Sequence, residues 1–188
     1  MLHKEHLTSK GLLDIISLKA SMNLGLSEDL NKAFPNVVPV PKDRPEVEIS
    51  VILNPYWIAG FADGESCFFV EKSVSKTYRS GYQVRIKFIV SQDSRDAALL
   101  NLLKDYFHCG DVYVDSRGMS RFIVRKNSYI ASFIIPFFAK YPLQGSKFAD
   151  YLDFCKVANI MDSKAHLTEE GLEQIDRIRS GMNRRRFN

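Results

Sequence analysis

The sequence predicts a mixed α/β domain of order αββαββα, an α+β arrangement on a four-stranded antiparallel sheet, followed by trailing helices. Three observations carry this. The hydrophobic period switches between helical and strand spacing along 54–126. Two short turn signals, Ser80 with Gly81 and Arg117 with Gly118, each separate two alternating runs. Finally, 3–23 and 163–183 match without a gap at nine of 21 positions, an offset of 160 residues.

Taken in order, 1–33 reads as a helical tail belonging to a preceding repeat that the chain lacks. Residues 34–53 follow as a linker, in which Pro35, Pro39, Pro41 and Pro45 favour an extended, semi-rigid strap. The complete repeat occupies 54–188. Asn54 and Pro55 are a side-chain cap and a first-turn proline, and they open a helix over 54–65. Strands are expected over 66–74 and 82–91. Ala97, Leu100, Leu103 and Phe107 share one face of a helix over 94–107. Two more strands are expected over 111–116 and 119–126, then helices at about 128–139, 145–161 and 168–181.

The strands separate two sheet faces. Tyr82, Val84, Ile86, Phe88 and Val90 alternate with Gln83, Arg85, Lys87, Ile89 and Ser91. Phe122 and Val124 oppose Arg121, Ile123 and Arg125; Val112 and Val114 oppose Asp111, Tyr113 and Asp115. Phe68 and Val70 oppose Cys67, Phe69, Glu71 and Ser73. One face is therefore apolar and fit to be covered by helices. The other carries long donors and acceptors of both signs, Arg117 at the turn included. An ordinary solvated face has the same composition, yet these side chains are also those that pair with base edges in a groove. Arg177, Arg179, Arg184, Arg185 and Arg186 likewise fit either a phosphate contact or a solvated basic tail.

Bulk properties narrow the class. The net charge of +4 is compatible with nucleic acid without requiring it. Three cysteines without a CxxC argue against a structural zinc site or a disulfide framework. His3 and His6 lack further ligands. The apolar run 130–139 is too short to span a bilayer and contains Pro136, so no membrane partner is expected, and no N-terminal segment reads as a signal peptide.

The helix over 54–65 is chemically odd. Gly60 and Gly64 each cost about 1 kcal/mol relative to alanine. Asp63 and Glu65 sit at its negative end. Glycines four apart allow two helix backbones to approach closely, so this helix is expected to pack against a second copy through Ile58, Gly60, Phe61 and Gly64. That pairing would bring two acids together, which is costly without a cation. Hard divalent ions take oxygen ligands, and two can clamp a phosphodiester.

IAGFADGES, residues 58–66, resembles the signature of the LAGLIDADG homing endonucleases. With the ββαββ order, the run CFFV and the HLT-x-x-G-L tails, the chain is similar to the single-chain, two-motif, I-OnuI-like branch of fungal mitochondrial introns, as its C-terminal repeat. The resemblance implies a site-specific double-strand DNA endonuclease whose sheet enters the major groove and which cleaves with Mg²⁺ to leave 3′ overhangs. It makes Glu65 the metal-binding acid, Asp63 mainly structural, and Gly60 and Gly64 interface residues. It makes Gln92 a polar residue lining the active site. It makes Lys147 a basic residue acting on water or developing charge, although an exposed lysine at a helix start reads the same way. DNA contacts are then expected from Cys67, Phe69, Glu71, Ser73, Gln83, Arg85, Lys87, Ile89, Ser91, Asp111, Tyr113, Asp115, Arg117, Arg121, Ile123 and Arg125. A mitochondrial location follows from the resemblance alone.

The chain departs from the family pattern in two ways: Ser66 replaces a glycine, and one motif stands where the branch uses two. A second copy of the chain or the missing repeat is therefore the expected protein partner, with a palindromic target if the chain pairs with itself. Two alternatives stay open: an RNA maturase acting on intron RNA, and a catalytically idle DNA-binding half.

Overall fold

The computed structural model describes residues 4–22, 25–40 and 54–183. The chain divides into two units, Met1–Glu46 and Val47–Asn188. The first holds helices α1 (Ser9–Ser21) and α2 (Glu28–Ala33). Much of the proline strap, Asn23 of the repeat, and Arg184, Arg185 and Arg186 lie outside the described residues.

The second unit opens with α3 (Pro55–Glu65), capped by Asn54, whose side chain accepts the Tyr56 N–H. Strands β1 (Ser66–Val74) and β2 (Tyr82–Asp93) follow, then α4 (Ala97–Phe107), β3 (Asp111–Val114) and β4 (Met119–Val124). All pairings are antiparallel, in the order β1-β2-β4-β3. The chain continues through α5 (Asn127–Tyr129), a π-helical turn Ile130–Ile134 and α6 (Ile135–Lys140), then α7 (Lys147–Asp162) and α8 (Glu169–Ser180).

The helices cover one sheet face. Phe68 centres the core, with the rings of Phe88, Phe138, Tyr151 and Phe154 at 5.2–5.6 Å. Phe122, Val124, Leu100, Leu103 and Ile130 complete it. Dense aromatic burial of this kind dominates the energetics of a small core. Among the described residues, no helix is long and apolar enough to cross a membrane.

Three details differ from the sequence expectation. The helix expected from 94 begins at Ala97, because Asp93 accepts the Arg95 N–H and holds Ser94–Asp96 as a 3₁₀ turn. The helix expected at about 128–139 runs through Pro136 but is divided by a π-helical turn over Ile130–Ile134. The π turn just before the proline changes the hydrogen-bond register, a usual accommodation for a residue lacking an N–H. Strand β3 stops at Val114, which is exposed on the sheet edge rather than buried with the apolar face.

The internal repeat has the same local structure in both copies. Glu5–Leu7 and Ala165–Leu167 are 3₁₀ turns, each entered through a left-handed lysine, Lys4 or Lys164. Thr8 caps α1 by accepting the Gly11 N–H, and Thr168 caps α8 by accepting the Gly171 N–H. Glycine is required at both places: a Cβ would lie 2.0 Å from the Glu5 carbonyl oxygen or 1.9 Å from that of Ala165. The copies differ in burial. Leu172, Ile175 and Met182 are buried, whereas Leu12, Ile15 and Met22 are exposed. Thr168→Ala is expected to lower stability by about 1 kcal/mol through loss of the cap, measured as a denaturant midpoint shift with an unchanged slope.

Candidate nuclease site at the end of helix α3

Helix α3 buries Ile58, Ala59 and Ala62 and turns its other side outward. A Cβ added at Gly60 or at Gly64 would meet no heavy atom within 4 Å. Exposed Trp57 stacks on Phe61 beside them, with ring centroids 5.0 Å apart. One expectation is corrected here: Ile58 is only 2% exposed and packs in the domain core, so it does not line the open face. The helical period places it opposite the glycines.

The C-terminus of α3 is tied to the loop before α7. Asp63 accepts the Gln144 and Gly145 N–H groups at 2.7 and 2.8 Å. Gly145 permits this approach, since a Cβ there would lie 2.9 Å from Asp63 Oδ1. Lys147 donates to the Ala62 and Gly64 carbonyls at 3.2 and 3.1 Å, placing an ammonium at the negative end of the helix. Burial pushes the Lys147 ammonium below its ordinary pKa, while Cys67, Asp63, Glu65 and Asp150 pull it back up. The lysine at a helix start is thus half-buried and held in place.

Glu65 is the last residue of α3. It is exposed and has no hydrogen bond or ion pair among the described residues. Beside it lies a groove of about 820 Å³ lined by Gly64, Cys67, Lys147, Asp150 and Asn183 among others. Gln92 lies at the same end of the sheet: Ser66 pairs with Val90, so Gln92 falls level with Gly64. Its side-chain oxygen accepts the Asp93 N–H, and it shares its side of β2 with buried Phe88 and Val90.

An exposed carboxylate is a suitable oxygen donor for a hard divalent ion. Among the described residues no group of three or more acidic, histidine or cysteine side chains gathers there. An ion held at Glu65 would take further oxygen ligands from elsewhere.

The polar sheet face begins next to this site. Cys67, Phe69, Glu71 and Ser73 of β1 pair with Ile89, Lys87, Arg85 and Gln83 of β2. Ser91 pairs with Arg121, which pairs with Tyr113; Ile89 pairs with Ile123, which pairs with Asp111. Glu71 binds Lys87 at 2.8 Å, and that contact holds its carboxyl below the usual range. Arg125 lies over the Tyr113 ring and donates to its hydroxyl. Asp115 departs from the expectation that it reads outward from a strand. It lies beyond β3, where Oδ1 accepts the Arg117 and Met119 N–H groups and Oδ2 binds Arg121, so it shapes the turn and orients arginines. Those bonds, led by Met119, keep its carboxyl low.

Sequence reasoning missed Asp150 and Asn183. Buried Asp150 accepts the Asn183 N–H, while Asn183 donates to the Phe68 carbonyl and accepts the Cys67 thiol. This ties the end of α8 to the first strand. The signal was present, since Asn183 is one of the identities in the repeat.

The LAGLIDADG endonuclease family model matches residues 58–158, more than half the chain. The chain belongs to the LAGLIDADG endonuclease family. Probable intron-encoded endonucleases 2 and 3 of Neurospora crassa are each 38% identical to it, over 97% and 92% of this chain and 41% and 32% of their own lengths. The I-SmaMI LAGLIDADG homing endonuclease bound to cleaved DNA superposes with a TM-score of 0.89 at 45% identity, over 98% of this chain and 61% of that one. I-LtrWI bound to target DNA gives 0.86 at 43%, over 97% and 61%. The chain thus spans less than two thirds of each of these relatives. The LAGLIDADG signature itself falls on α3, and the matched region ends within α7.

Proposed function

We propose that the chain is a site-specific double-strand DNA endonuclease that reads the major groove with its polar sheet face. It hydrolyses phosphodiesters with Mg²⁺ held by Glu65 and by the matching acid of a second motif helix. The observation that carries this is the position of Glu65: an exposed carboxylate between a face rich in base-pairing side chains and an open Gly60/Gly64 helix face. A bound divalent ion would supply charge neutralisation at the scissile phosphate and an activated water. Calcium ions accompany I-SmaMI on its uncleaved DNA target, which supports a divalent site without choosing magnesium.

In this reading Glu65 provides a ligand, and Lys147, fixed by two carbonyls, adds positive charge near developing negative charge. Asp63 positions the Lys147 loop through its two N–H bonds. Pairing of the open α3 face with a second copy brings in the second carboxylate, and a two-fold pair reads a two-fold target. Relatives named for cox1 intron 2 in Schizosaccharomyces pombe and ND4 intron 1 in Podospora anserina support an origin in a mitochondrial intron.

Incubation with a pool of randomised duplexes and Mg²⁺ tests the reading. Sequenced ends should reveal breaks in both strands at one sequence, absent when EDTA replaces the metal. Specific binding without breaks would instead identify an idle DNA-binding half. Alanine at Arg85 should relax preference at one position by about 1–3 kcal/mol while leaving the others intact. A uniform loss across all sequences would make Arg85 a phosphate contact.

A further inference from the structure

One row of the polar sheet face is apolar across three strands and ends at Asp111 on the edge strand β3. Cys67 of β1, Ile89 of β2 and Ile123 of β4 are consecutive cross-strand partners, and Phe69, 40% exposed, adjoins them along β1. Its three apolar members are half-exposed, and neither isoleucine belongs to the buried core or to the side chains packed on it. The Cys67 thiol proton is engaged by Asn183 Oδ1, which leaves the sulfur as apolar surface. The neighbouring rows are rich in donors: Ser91 and Arg121 on the side toward Glu65, and Lys87 across from Phe69 on the other.

Resting on the DNA reading above, we propose that this row selects a base pair presenting a C5-methyl group in the major groove, that is, a thymine. In that groove thymine shows a methyl and an acceptor, whereas cytosine shows an amine donor and no methyl. An isoleucine against the cytosine amine would bury a donor without an acceptor, which is costly. Size agrees as well. Adjacent strands lie about 4.8 Å apart, so a row across three strands spans about 10 Å, close to a major-groove width of about 12 Å. Successive face rows are two residues apart, about 6.6 Å, or roughly two base-pair rises of 3.4 Å. Cys67 follows Glu65 by two residues. The thymine therefore lies about two base pairs outward from the level of Glu65, inside the positions read by Arg85 and Gln83.

The test uses the full chain and the duplex it selects. The selected half-site should carry a thymine in its inner part. Replacing it with deoxyuridine, which deletes only the methyl, should weaken wild-type binding about fourfold, the effect of one buried methyl. A cytosine there should bind better as 5-methylcytosine. Ile89→Ala should bring the thymine and deoxyuridine affinities together while preserving the preference set by Arg85. Specific binding that is indifferent to deoxyuridine throughout the half-site, or selection of guanine at that step, overturns the methyl reading alone. Failure to select any duplex overturns the DNA reading and this inference with it.

Discussion

Glu65→Gln should reduce metal-dependent cleavage by about 10³-fold or more, because a charged ligand is lost from a site whose ion supplies several kcal/mol of transition-state stabilisation. Folding should barely respond. The side chain is exposed and makes no hydrogen bond or ion pair among the described residues, and substitutions at such positions usually stay within about 0.5 kcal/mol. Removing an acid from a helix C-terminus is, if anything, mildly favourable, although Lys147 loses a nearby negative charge. DNA affinity without metal should also hold, since most base-facing rows lie beyond Glu65 along β1 and β2. Cleavage kinetics and a binding isotherm on the same duplex separate the two effects. A Gln variant that cuts at the wild-type rate would remove Glu65 from the metal site.

The second large effect is expected from Gly60→Leu combined with Gly64→Leu. Among the described residues a Cβ at either position meets no heavy atom within 4 Å, so the new side chains start in open space. Leucine also forms helix better than glycine by somewhat under 1 kcal/mol per site. The double variant should therefore be at least as stable to heat as the wild type. Its bulk would nevertheless hold a partner helix away from α3, separating the two acids and abolishing cleavage. Loss of cutting together with a raised melting temperature would mark the face as an interface. A double variant that still cleaves would show that the glycines answer to something other than close helix packing.

Local signals made most of this architecture legible. The alternation along β2 gave its face, and the register bears it out from Gln83 to Ser91. Asn54 and Pro55 marked the start of α3, and the apolar period marked the buried side of α4. Where the sequence misled, tertiary context was the cause. Ile58 belongs to the signature motif, yet the helical period sends it into the core. Val114 alternates like a buried residue but is the exposed last residue of a short edge strand. Alternation cannot distinguish a last strand residue from a turn carboxylate that captures backbone N–H groups, and Asp115 is the latter. Asp150 and Asn183 meet 33 residues apart in sequence, a contact no local pattern encodes.

The central claim, a metal site shared between two α3 helices, is tested most directly by sedimentation on DNA. The wild-type chain is mixed with a duplex carrying two inverted copies of its selected half-site, first without and then with Mg²⁺. The account predicts two chains per duplex in both conditions, and breaks in both strands once Mg²⁺ is present. One chain per duplex that cuts both strands would contradict it.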